Sequence, residues 1–170
     1  MDKYGEIHHL VGSAKHNIGL VNLLAERYTH AMTYFQEAIT IRKAALGPEH
    51  PAVAASLMKI GMIHLVRRDC EAARETFRQI LKLTRKSLGY GHIQVARVLN
   101  NLGIAHYDLG NYLDAFHAFQ QAHEIQRRLL ILSHTENTSV ICNIHCIQWR
   151  FCANATQGNT IYIAENGRVH

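Results

Sequence analysis

Residues 99–115 read LNNLGIAHYDLGNYLDA, a stretch that contains the clearest turn signal of the chain, Asp108-Leu109-Gly110-Asn111. Glycine and asparagine tolerate the backbone conformations at which a helix ends, so this tetrapeptide marks a break between two helical segments. The stretch therefore predicts two helices joined by a tight turn.

The same arrangement recurs along the chain at an interval of 42 residues. The segment GPEHPAV at 47–53 returns as GYGHIQV at 89–95 and has an earlier copy, GEIHHLV, at 5–11. A constant interval of this length is the signature of a repeat protein. The interval also superimposes glycines, alanines, phenylalanines and leucines: Gly19, Gly61 and Gly103; Ala31, Ala73 and Ala115; Phe35, Phe77 and Phe119; Leu46, Leu88 and Leu130.

Within each period, apolar residues are spaced as on two amphipathic helices. Val53, Leu57 and Ile60 show steps of four and three, and so do Ala73, Phe77 and Ile80. The predicted fold is therefore all-α, made of antiparallel helix pairs. Predicted helices cover about 8–25, 29–46, 51–67, 70–88, 93–109, 112–130 and 135–150.

The repeated glycines lie inside the first helix of each pair, where a glycine costs about 1 kcal/mol relative to alanine. We expect close approach of the two helices to offset this cost, with the repeated phenylalanines filling the space that the small residues leave.

The run from Leu99 to Ala115 resembles the consensus of the tetratricopeptide repeat. The 42-residue period exceeds the usual length of about 34, and with the Gly-x-x-His-Pro-x-Val linker at 47–53 it is similar to the repeats of kinesin light chain. The resemblance implies a right-handed α-α superhelix, or solenoid. It implies a repeat domain over 1–150, with repeats at about 5–46, 47–88, 89–130 and a partial one at 131–150. Residues 151–170 are then a degenerate last helix or a loose tail.

The resemblance also implies a function, which is binding of a protein or peptide segment in a concave groove lined by the first helix of each pair. We expect no enzyme, because no catalytic triad, phosphate-binding loop or dinucleotide fingerprint occurs in the sequence. The candidate groove residues are His16, Asn17, Leu20, Met58, Lys59, Met62, Arg97, Asn100, Asn101, Ile104, Tyr107 and Asn143.

The groove candidates combine amide and basic side chains. An asparagine amide both donates and accepts hydrogen bonds, so it matches the backbone of a bound peptide of any sequence. Lys59 and Arg97 add a preference for acidic partners. Two alternatives stay open: the polar positions are ordinary solvated surface, and Met58 and Met62 are core residues.

The net charge of +5 and pI of about 9.2 also favour acidic partners. A basic stretch in the second repeat raises nucleic acid as an alternative, but it has no interleaved aromatic residues on which bases would stack. A third alternative is self-association through the end helices. The basic stretch of the second repeat consists of Arg67, Arg68, Arg74, Arg78, Lys82, Arg85 and Lys86.

Histidines and cysteines do not indicate a metal centre or a cofactor. The cluster Cys142, His145, Cys146 and Cys152 lacks the paired Cys-x-x-Cys knuckles of structural zinc, so we expect free thiols. One repeated histidine position stands at the entrance of a helix, where capping or packing is the simplest role: His8, His50, His92 and His134.

The chain shows no apolar segment long enough, at about 18 residues, to span a bilayer. Its first residues, MDKYGEIHHL, do not resemble a secretory signal. We therefore expect a cytoplasmic location and no membrane partner.

Overall fold

The computed structural model describes residues 9–133, with side chains to Leu129, and this part of the chain folds as six α-helices without a β-strand. The packing described below lies within a compact unit that ends at Leu129. The helices are α1 His9–Leu24, α2 Tyr28–Leu46, α3 Pro51–Val66, α4 Cys70–Leu88, α5 Ile93–Asp108 and α6 Tyr112–Ser133.

The helix bounds agree with the predicted ones to within one residue, except that α6 continues three residues past the predicted end at 130. The predicted helix at 135–150 and the segment 151–170 lie outside the described residues. Short connections of three residues join the helices within a pair, and four residues join each pair to the next. Such short connections make consecutive helices antiparallel neighbours.

The linkers between pairs explain why each helix stops and starts where it does. Gly47 and Gly89 follow the second helices with φ of 91° and 83°, a backbone region that glycine adopts without strain. At the start of the next helix, the first N–H groups have no carbonyl within the helix to bond to, so they bond to histidine side chains. Nδ1 of His50 accepts from Ala52 N–H, and Nδ1 of His92 accepts from Gln94 N–H, both at 3.1 Å. The predicted capping role of these histidines is confirmed; His8 and His134 lie outside the described residues.

Close contact between a glycine and a phenylalanine holds each helix pair together. A Cβ placed on the glycine would lie 2.5–2.8 Å from the ring of the phenylalanine, far inside van der Waals contact. Any larger residue would therefore push the helices apart, which confirms the expected reason for the repeated glycines. The pairs are Gly19 on Phe35, Gly61 on Phe77 and Gly103 on Phe119.

Successive pairs are joined by a continuous apolar core. Between the first two pairs, Phe35 and Ile39 of α2 pack with Val53, Ile60 and Ile63 of α3. The next layer repeats this arrangement, with Phe77 and Ile80 of α4 against Val98 and Leu102 of α5. The second helix of one pair thus supplies the surface on which the first helix of the next pair packs.

Two ionisable side chains, the imidazole of His106 and the thiol of Cys70, are buried. His106 is 5% exposed, and burial lowers its pKa although the carboxylate of Asp114, 3.8 Å from Nδ1, opposes the shift. Cys70 is a buried free thiol whose pKa is raised by burial. Both side chains are therefore part of the packed interior.

Within residues 9–133, no helix combines the length and apolarity required to cross a bilayer. The same residues hold no group of three or more His, Cys, Asp or Glu side chains placed to bind a metal. The cluster of Cys142, His145, Cys146 and Cys152 lies outside the described residues.

The glycine contact gives a direct test of the repeat packing. Gly61→Ala should lower the free energy of unfolding by about 1–3 kcal/mol, because the new methyl group meets the buried ring of Phe77. Urea denaturation followed by circular dichroism measures the change. Gly91→Ala is the matched control, since a Cβ there meets nothing within 4 Å. Equal stability of the two variants would contradict the packing described.

Candidate peptide-binding groove

The described groove candidates lie on α1, α3 and α5, the first helices of the three pairs. Asn17, Lys59 and Asn101 occupy one repeat position on these helices; Asn17 is exposed, and the other two are half-buried. Helices α3 and α5, which carry the second and third copies of this position, contact each other directly. Asn143, the predicted fourth copy, lies outside the described residues.

Two predicted groove residues from different repeats touch. The side-chain amide of Asn101 donates to the sulfur of Met58 at 3.3 Å. A thioether is a weak acceptor, and the amide oxygen and second N–H of Asn101 are not used by this bond. The amide therefore keeps most of its hydrogen-bonding capacity for a ligand.

The apolar candidates divide into packed and exposed side chains. Met58 packs against the core between α4 and α5, whereas Met62 and Ile104 leave 38% and 36% of their surface in solvent. Leu20 also packs on a core, and Tyr107 is half-buried with its ring edge-on to Tyr112. Met58 is thus half-buried against the core, whereas Met62 is exposed.

The first helices carry almost no acidic side chains. Helices α1 and α3 contain none, and α5 contains only Asp108, its last residue. Of the basic residues on these helices, Lys15 is paired with Glu37 at 2.8 Å. Lys59 and Arg97 form no ion pair with another described residue. The candidate groove therefore has a positive charge that the described residues do not neutralise.

A buried polar cluster contacts His16, one of the groove candidates. Arg42 of α2 is 7% exposed, and its Nη1 donates to the Ala52 carbonyl and to Ser56 Oγ, each at 2.7 Å. Ser56 is fully buried, and its Oγ lies 3.0 Å from Nδ1 of His16. The His16 ring also packs against Phe35, with 5.2 Å between ring centroids.

His16 was predicted from the sequence as a groove residue, whereas Arg42 and Ser56 were not. The signal available in the sequence was the repeat position of Arg42, whose counterparts Thr84 and Gln126 are also polar and also buried. Arg42 and Thr84 form hydrogen bonds from this position, whereas Oε1 of Gln126 is buried without a partner among the described residues.

The electrostatics of the cluster keep His16 neutral. Burial is the main cause that lowers its pKa to about 4, and the positive charges of Arg42 and Lys59 lower it further. Burial also lowers the pKa of Arg42, whose ordinary value is so high that the guanidinium remains charged.

The basic face of the second repeat is partly neutralised by its neighbours. Arg74 pairs with Glu71, and Lys86 pairs with Glu49. Arg68 lies 3.8 Å from the carboxylate of Asp108, and Arg85 donates to Gln121. The face thus has mixed charge and not a continuous basic stripe.

These features define a helical repeat protein whose first helices line a common surface. A sequence profile of the tetratricopeptide repeat matches residues 10–86 and 53–128, which together span most of the chain. The chain belongs to the tetratricopeptide repeat family, whose repeats generally mediate protein–protein interaction. A comparison with curated proteins gave no match.

Solved structures share the fold at low sequence identity. BtubC (BKLC) from P. vanneervenii superimposes with a TM-score of 0.67 at 20% identity, covering 78% of this chain and 52% of that one. A kinesin light chain-like protein of Podospora anserina with nearly identical TPR-like repeats gives 0.62 at 18% identity, covering 73% and 59%. A single-substitution variant of that fungal protein gives 0.64 at 18% identity, covering 75% and 60%. This chain thus spans between half and two thirds of these proteins, and its fold is a helical solenoid like theirs.

The neutral state of His16 predicts a pH dependence. Since its pKa is about 4 in the folded chain and about 6.5 when unfolded, the unfolded chain binds the proton first as pH falls. The contribution of His16 should therefore make the fold less stable as pH drops from about 6.5 to 4. Histidine ring resonances followed by NMR report the titration, with His16→Gln identifying the signal. A midpoint near 6.5 in the folded protein would contradict the buried cluster.

Proposed function

We propose that the chain is a protein-interaction scaffold whose groove, formed by α1, α3 and α5, binds a peptide or protein segment. The observation that carries this proposal is the repeated position of Asn17, Lys59 and Asn101 on three successive first helices. The recurrence of this polar position in register on the first helix of each described pair supports a shared role in binding.

The groove has the chemistry to bind a peptide backbone. Amides of Asn17, Asn100 and Asn101 present both donors and acceptors, which are the complements of a peptide N–H and C=O. Exposed Met62 and Ile104 supply apolar contact beside them. Methionine adapts its shape to different ligands, so this surface suits extended segments of varied sequence.

The charge of the groove supports an acidic partner. Lys59 and Arg97 stand on helices that carry no acidic residue before Asp108. Unneutralised positive charge speeds encounter with a negatively charged segment and disfavours a basic one. We place this interaction in the cytoplasm and expect it to be reversible.

The contact between the His16 ring and the Ser56 hydroxyl supports a scaffold over an enzyme. Ser56 Oγ lies 3.0 Å from His16, as a nucleophile lies from its base. Ser56 is 0% exposed, however, and its oxygen already accepts from Arg42. A substrate therefore does not reach this hydroxyl.

The groove proposal predicts which partners a variant loses. The variant carries Asn17→Ala, Lys59→Glu and Asn101→Ala. Used as a bait in cytoplasmic extract, it should fail to capture proteins that the wild type captures. Mass spectrometry of the captured proteins measures this difference. Circular dichroism should be unchanged, because none of these side chains is fully buried.

The matched control changes similar residue types at exposed positions of the second helices: Gln36→Ala, Gln79→Ala and Lys82→Glu. This control bait should retain the wild-type partners. Identical partner sets from the two variants would overturn the groove proposal.

One observation favours a second function, self-association through α1. Ile18 and Val21 are 41% and 66% exposed, whereas their counterparts one repeat later, Ile60 and Ile63, are 7% and 0% exposed. Those counterparts pack on the second helix of the preceding pair. The face of α1 therefore has the shape and apolarity to receive a helix of this same kind, and a second copy of the chain supplies such helices.

Light scattering at several concentrations tests this second function. If a second copy covers α1, the wild type should form a dimer that Val21→Lys converts to a monomer, because a charge on this face would have to be desolvated. Arg97→Glu, in the groove, should leave the dimer intact. A wild type that stays monomeric at all concentrations rules out self-association through α1.

A further inference from the structure

Helix α1 carries a continuous apolar face that is exposed along its whole length. Five exposed residues follow one another at steps of four, four, three and four, which places them on one side of a helix. This α1 face consists of Leu10, Ala14, Ile18, Val21 and Ala25. Ala25 continues the last helical turn, because its N–H bonds to the Val21 carbonyl. None of the five side chains is charged, so burying this face requires no charge to be desolvated.

The second helices of another copy have little matching surface to offer. On α2 and α4, the surface that receives a first helix is already covered by α3 and α5 of the same chain. On α6, the counterpart of Ile39 is His123, which is polar and exposed. The counterpart of Arg42 on α6 is Gln126, which is already buried at 6% exposure. Among the described helices, the one that presents a continuous apolar face to a second copy is therefore α1 itself.

The α1 face is its own complement when the helix is reversed. In an antiparallel pair of α1 helices centred on Ile18, residues at equal heights above and below the centre lie opposite one another. Ile18 then meets Ile18 of the second copy, and Ala14 meets Val21. The outer layers set Leu10 against Ala25. A small residue thus faces a large one in each layer outside the centre, which is how two helix surfaces interdigitate without voids.

We propose that two copies of the chain pair through α1 in antiparallel orientation, with Ile18 at the two-fold axis and Ala14 of each copy against Val21 of the other. This inference rests on the second proposed function, self-association through α1, and names the surface of the second copy. A two-fold contact uses the same surface of both copies, so assembly stops at a dimer. Packing of α1 on a different surface of the next copy would leave one α1 face open, to which further copies could add.

Paired charges test which residues lie opposite one another. Ala14→Glu and Val21→Lys should each weaken the dimer about tenfold or more, because each sets a charge against an apolar side chain. An equimolar mixture of the two variants should form a heterodimer, since the new carboxylate of one faces the new ammonium of the other. Native mass spectrometry identifies the heterodimer by its mass. A mixture of Ala14→Lys with Val21→Lys, whose charges are alike, is the matched control and should form no heterodimer.

Disulfide formation tests the position of the two-fold axis. Two cysteines are bridged only when their Cα atoms lie within about 7 Å of each other. On mild oxidation, Ile18→Cys should form a covalent dimer, whereas Val21→Cys should do so only when mixed with Ala14→Cys. Val66→Cys, at a position 57% exposed on α3, controls for random collision and should form no disulfide. Cys70 is buried and remains. Serine replaces three cysteines outside the described residues: Cys142, Cys146 and Cys152.

The outcomes separate this arrangement from self-association in general. A wild type that stays monomeric at all concentrations overturns both. A wild-type dimer in which the mixed charge variants fail to pair, or in which Ile18→Cys forms no disulfide, overturns the antiparallel α1 pair. Self-association then stands, with α1 of one copy on a different surface of the other.

Discussion

The structure depends on the contact between a glycine of each first helix and a phenylalanine of each second helix. At Gly103 the backbone comes so close to Phe119 that a Cβ would lie 2.5 Å from the ring. This approach sets the distance between paired helices, and the same distance in every pair lets the next pair pack in the same way. The regular stack, and the alignment of α1, α3 and α5, follow from it.

Because the core is fixed by few positions, the surface of the first helices is free to vary. The residues just before the repeated glycines of α3 and α5 are Ile60 and Leu102, which belong to the apolar core. One residue earlier stand Lys59 and Asn101, which belong to no core cluster. A constant scaffold thus presents a variable row of polar groups, which is the property that a binding protein needs.

Most of the fold could be predicted from the sequence, and the site only in part. The glycine and histidine of each linker allowed the helix ends beside them to be predicted to within one residue, because their roles as stop and cap are local. The Arg42–Ser56–His16 cluster could not be predicted, since it joins residues 14 and 40 positions apart through side-chain geometry. Met58 and Met62 are likewise the same residue type one helical turn apart. The first is half-buried and the second is exposed, a difference that could not be predicted from the sequence.

The most direct measurement of the central claim is site-specific photo-crosslinking in cytoplasmic extract. A photoreactive amino acid replaces either Ile104, exposed on α5 beside the candidate groove, or Gln36, exposed on α2. The account predicts discrete protein adducts from position 104 that are absent from position 36 and that disappear when Asn101→Ala and Lys59→Glu are added. Adducts from position 36 alone, or adducts from position 104 that survive those substitutions, would contradict it.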